Sequence, residues 1–89
     1  MLKAKMITRT VRFSEMRRLL KSVGYKEKRI DKAHVFHRAK KDLLVFPRYA
    51  DEDWMRSGDI SSTRRFLDMR GILDEAEFDS FFEAANKSA

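Results

Sequence analysis

Two histidines three residues apart, in Ala33-His34-Val35-Phe36-His37-Arg38, are the side chains of this 89-residue chain whose ordinary titration lies near neutral pH. Imidazole is the usual group for moving protons at pH 7, and here it sits among Lys28, Lys32, Arg38, Lys40, Lys41 and Arg48. Cations that hold an anion, beside a ring that can pass a proton, point to phosphate chemistry. The chain has no cysteine, so it offers no disulfide, no thiolate nucleophile and no thiolate metal site. Two histidines are too few for an ordinary structural zinc site, and adjacent carboxylates such as Asp51-Glu52-Asp53 rarely converge on one ion. No metal and no cofactor are expected.

Charge is divided along the chain. Residues 1–48 carry 15 lysines and arginines against 4 acids, whereas residues 49–89 carry 5 against 10, giving the overall +6. A front half of this kind attracts polyanions, either nucleic acid or an acidic membrane surface. The lead-in, residues 1–12, is basic but lacks the continuous apolar run of a secretory signal, and it is expected to be an ordinary or partly disordered segment. No window approaches the length of a membrane span. A soluble, cytoplasmic protein without membrane contact is expected.

The elements that must position the histidines are legible from periodicity. Met16, Leu19, Leu20 and Val23 share one helical face, predicting a helix over 15–23 with Ser14 as N-cap and Gly24 as its left-handed stop. Strands are predicted over 25–30, 33–38 and 42–48, joined by turns at Asp31-Lys32 and Ala39-Lys40-Lys41. Leu43-Leu44-Val45-Phe46 is apolar on both parities, which predicts a strand covered on both sides. Residues 49–62 read as a long polar connection, with room for one helical turn around Trp54 as an anchor. A helix over 63–70, capped by Ser61 or Ser62 and stopped by Gly71, comes next. The last helix opens on an Asp74–Glu77 capping box and buries Phe78, Phe81, Phe82 and Ala85. The expected fold is one α+β domain of order α-β-β-β-α-α, a three-stranded antiparallel sheet with helices packed on one face. Alternation puts His34, Phe36 and Arg38 on one side of the sheet and Ala33, Val35 and His37 on the other.

The run Leu20-Lys21-Ser22-Val23-Gly24-Tyr25, then His34-Val35-Phe36, Leu44-Val45-Phe46-Pro47, Arg64-Arg65-Phe66-Leu67-Asp68-Met69-Arg70-Gly71-Ile72 and Phe78, resembles the HicA toxin family over about residues 10–82. The resemblance implies a fold like a double-stranded-RNA-binding domain. It also implies a ribonuclease that cuts messenger RNA under the control of a HicB-like antitoxin protein. By that match His34 is the catalytic residue. Family members place Gly-Ser or Gly-Thr before it, where this chain has Lys32-Ala33, and many carry a second histidine where this chain has Tyr49.

RNA supplies its own nucleophile, the 2′-hydroxyl, so such an enzyme needs a base, an acid and cations on the phosphate, and no metal. His34 is the candidate acid or base, on a ring expected to stand open to solvent. Lys28, Lys32, Arg38 or Arg48 would steady the phosphorane, and Tyr49 is a candidate second proton donor or base-stacking group. Arg17, Arg18 and Lys21 on the first helix, with Lys26, Lys28, Arg29, Lys32, Arg38, Lys40 and Lys41 around the sheet, would follow a ribose-phosphate backbone. The alternative is a non-catalytic RNA-binding module on the same fold.

Overall fold

The computed structural model describes residues 11–38 and 42–88, with side chains as far as residue 83. The turn bearing Lys40 and Lys41, residues 1–10 and the packing of Ala85 lie outside the described residues. The order is α1 (Phe13–Ser22), β1 (Lys26–Ile30), β2 (Ala33–His37), β3 (Leu43–Phe46), α2 (Ser57–Met69) and α3 (Glu75–Ser88), the α-β-β-β-α-α order expected. The three strands form one antiparallel sheet in sequence order.

The hairpin turn is set by Asp31, whose φ of 54° lies in the left-handed region that Asp tolerates better than most residues. Ile30 then pairs with Ala33, Arg29 with His34 and Glu27 with Phe36. Gly24, at φ 101°, ends α1 as expected, and the Tyr25 N–H returns to the Leu20 carbonyl at 3.0 Å.

The start of α1 differs from the expectation. Arg12, not Ser14, is the N-cap, and its N–H donates to the Glu15 carboxylate at 3.0 Å. The N–H groups of Phe13 and Ser14, which no helical carbonyl can satisfy, donate to the carbonyls of Asp53 at 2.9 Å and Asp51 at 3.0 Å. A distant loop therefore caps this helix. Val11 is fully buried and its carbonyl accepts from the Met55 N–H at 2.8 Å, so the fold begins inside the expected lead-in.

One face of the sheet meets the helices. Phe13 packs edge-on against Phe36 and Phe46, and Met16, Leu19 and Leu20 join Ile60, Leu67, Phe78 and Phe82 in the same core. Each such side chain contributes roughly 1.5–3 kcal/mol on burial. The other face is open. Leu43 and Val45 of β3 are 51% and 61% exposed, so the strand expected to be covered on both sides is an edge strand covered on one. All three helices serve the inner face, and no described element remains for a second layer.

The helix α2 begins at Ser57, taking in residues expected to be loop, because Ile60, Thr63 and Leu67 make a buried stripe through a weakly helix-forming run. The Thr63 hydroxyl donates back to the Asp59 carbonyl at 2.8 Å. Residues 51–54 form a turn and a bridge to Arg12 rather than a helical turn. Gly71 stops α2 at φ 70°, and the Asp74–Glu77 capping box is complete, with bonds of 3.0 and 2.8 Å. Arg64 then clamps α2 to α3 through two 2.9 Å bonds to Asp79.

Candidate nucleic-acid interface

His34 follows the parity of Phe36 into the inner face and is 3% exposed, so the ring expected to stand open is enclosed. Phe13 covers one side at 4.5 Å between ring centroids. Nδ1 lies 3.0 Å from a carboxylate oxygen of Glu27, and Nε2 lies 3.0 Å from the backbone carbonyl of Tyr49. Both partners are acceptors, so the ring satisfies both bonds only when each nitrogen carries a hydrogen, as the imidazolium.

The chain of contacts continues behind Glu27. Arg17 donates to Glu27 at 2.8 and 3.3 Å and to Asp51 at 2.8 Å. Burial opposes the charged form of Glu27, but the bonds and charges of Arg17 and His34 outweigh it and hold its carboxyl below the usual range. Asp51, Arg17, Glu27, His34 and the Tyr49 carbonyl thus tie the post-β3 connection to α1 and to the hairpin.

The same connection is pinned at Tyr49. Its ring stacks on Phe13 at 5.3 Å, and its hydroxyl donates to Asp59 at 2.6 Å while accepting from the Arg56 N–H at 3.1 Å. Burial, with the Asp59 carboxylate, pushes the phenol upward. Tyr49 is therefore a structural anchor, placed neither to give up a proton nor to stack on a base. Trp54, expected to anchor this connection, is 55% exposed with the Arg12 guanidinium 3.9 Å over its ring, and the buried residue beside it is Met55.

Over this network lies a concavity of about 590 Å³ lined by Arg29, Asp31, Lys32, His34, Arg48, Tyr49, Ala50 and Asp53. Arg29, Lys32 and Arg48 are exposed and, among the described residues, carry no ion pair. Asp53 is turned onto the Ala50 N–H at 2.8 Å. Three cations thus rim a pocket whose floor holds a fourth, buried one when His34 is doubly protonated.

Of the expected site residues, the structure brings together His34, Lys32, Arg48 and Tyr49. It separates the rest. Arg17 is committed to two carboxylates beneath His34 and is no free phosphate contact. Arg38 donates to the Val23 carbonyl at 3.1 Å and pairs with Asp42 at 3.5 Å, at the far end of β2. Arg18 lies over the Phe81 ring at 5.9 Å, on the α3 side of α1. Lys28 points to the outer sheet face, opposite the pocket, because it pairs across from Val35. Asp51, Glu52 and Asp53 turn to separate partners, Arg17, Arg12 and the Ala50 N–H.

Two contributors go beyond the expectation: Arg29, expected only as one of many cations around the sheet, and Glu27, not singled out at all. Arg29 faces His34 directly across the hairpin, a placement that follows from the two-residue turn once Ile30 is paired with Ala33. Glu27 shares that parity two residues earlier. Asp42, buried and bonded to the Tyr25 hydroxyl at 2.8 Å, is a third such polar residue, and no local pattern announces it. Burial and the Asp42 bond push the Tyr25 phenol upward.

No helix among the described residues is long and apolar enough to cross a membrane. No family model, curated protein or solved structure matches the chain.

Proposed function

We propose that this chain is an RNA-binding domain that grips a ribose-phosphate backbone in the pocket rimmed by Arg29, Lys32 and Arg48. The observation that carries the reading is the convergence of three cations, none in an ion pair among the described residues, on one concavity that Asp31 and Asp53 also line, while the other described arginines are largely occupied. Free cations release condensed counterions on meeting phosphates, and that release is the main source of sequence-independent affinity. The sequence resemblance to HicA proteins favours RNA over DNA and a cytoplasmic setting.

Binding is favoured over cutting because His34 is enclosed and both its nitrogens are engaged. One observation favours a second reading, a HicA-like, metal-independent mRNA interferase restrained by a HicB-like antitoxin. A carboxylate on Nδ1 and Nε2 turned to the pocket wall is the arrangement that holds an imidazole for proton transfer. In that reading RNA displaces the Tyr49 carbonyl from Nε2, the 2′-oxygen bonds to phosphorus as its proton passes to water, and His34 gives its proton to the 5′-oxygen as the P–O5′ bond breaks.

The test is fluorescence anisotropy with a labelled RNA hairpin and its DNA counterpart, run beside a cleavage assay. Binding that falls when Arg29, Lys32 and Arg48 are all replaced by alanine supports the reading. Undiminished binding by the triple variant overturns it. Cleavage that His34→Gln abolishes while binding persists selects the nuclease reading.

A further inference from the structure

The face of the sheet opposite the helices carries a pattern that the RNA pocket does not use. The strand register assigns it eight positions: Lys26, Lys28 and Ile30 on β1, Ala33, Val35 and His37 on β2, and Leu43 and Val45 on β3. Ile30, Leu43 and Val45 are at least half exposed, three of the five large hydrophobics left in solvent among the described residues. No carboxylate occupies any of the eight positions. Lys26 and Lys28 have no ion pair among the described residues. Apart from His37, the face is thus aliphatic across β2 and β3, and β1 adds Lys26 and Lys28 beside Ile30.

We propose that this face docks a protein partner through a segment presenting aliphatic side chains beside carboxylates. Exposed aliphatics that adjoin one another on an open sheet are characteristic of a surface another protein covers. The lysine edge sets the sign of the partner's charge, since opposite charges across an interface steer encounter and fix register. A second copy of the face has no carboxylate to offer those lysines. Stacking of RNA bases needs aromatic platforms, and the eight positions hold only His37. Two lysines are fewer than the roughly four to eight that hold a polybasic segment on an anionic membrane. The proposal is independent of the RNA reading, because the two sites lie on opposite faces of the sheet.

The test pans a phage-displayed library of random peptides against the full chain, beside Val45→Asp and Lys28→Glu variants. Enriched peptides are expected to combine aliphatic residues with Asp or Glu. Their binding should weaken about tenfold or more in Val45→Asp, an anchor lost from the centre of a contact. In Lys28→Glu the enrichment should swing away from acidic sequences. Both positions are exposed, circular dichroism checks each fold, and the lysine variant carries the test if the valine variant does not fold. RNA affinity, read in parallel, should be unchanged by Val45→Asp, which separates failure here from failure of the pocket. Enrichment indifferent to both substitutions overturns the proposal. So does a dimer in sedimentation that Val45→Asp dissolves, or attachment to phosphatidylserine vesicles that Val45→Asp abolishes.

Discussion

Arg17 and Arg48 are both arginines of the basic half, and the structure gives them opposite occupations. Arg17 lies partly buried under His34, held by Glu27 and Asp51, and joins three separate segments into one unit. Arg48 stands exposed at the end of β3, above the same histidine, with no ion pair among the described residues. A count of charges treats them alike. Availability depends on where carboxylates fall in the fold, so the lower arginine is a structural part and the upper one is free to meet a ligand.

That contrast predicts different casualties for different substitutions. The largest effect is expected at Phe13, whose ring touches His34, Phe36, Phe46 and Tyr49. Phe13→Ala should cost about 3–5 kcal/mol in urea denaturation, through the lost contacts and the cavity left behind. An effect under about 1 kcal/mol would mean that this aromatic cluster does not support the pocket floor.

Smaller, and more specific, is Glu27→Gln. It leaves Arg17 and His34 without their shared anion and should destabilise the fold by about 1–3 kcal/mol at neutral pH. Because the folded-state carboxyl of Glu27 is held below its ordinary range, its contribution is fully present above that range and is lost as pH falls through the lowered value. Urea midpoints taken between neutral pH and about pH 2 should therefore fall less steeply in Glu27→Gln than in the parent. Parallel acid limbs would show that the Arg17–Glu27–His34 network contributes nothing to acid sensitivity.

How much of this arrangement the sequence discloses depends on whether its cause is local. Gly24, Gly71, the Asp31 turn and the Asp74–Glu77 box act within a few residues, and each was legible. The α1 start was not, because the carbonyls that fix it come from Asp51 and Asp53, and neither was the first turn and a half of α2, written in Ser-Gly-Asp-Ile-Ser-Ser. Both parities of β3 are apolar, yet only one is covered, since hydrophobicity marks what a strand can bury and not how many layers the chain can supply. The side of the sheet that His34 takes followed from its parity with Phe36, although its ring was expected to stand open and is enclosed. Its partners did not, because a carboxylate from a neighbouring strand and a carbonyl from a later connection leave no mark near residue 34.

The smallest structural disturbance should have the clearest functional result. Replacing Arg29, Lys32 and Arg48 together should leave the urea midpoint almost unmoved, as substitutions at exposed, unpaired positions usually shift stability by no more than about 0.5 kcal/mol each. The decisive measurement is RNA affinity against salt concentration for the parent and this triple variant. If the rim grips phosphates, the slope of log affinity against log salt should become shallower by about 2–3 in the variant, near one per contact removed. An unchanged slope, with the fold intact, would contradict the assignment of this pocket to a phosphate backbone.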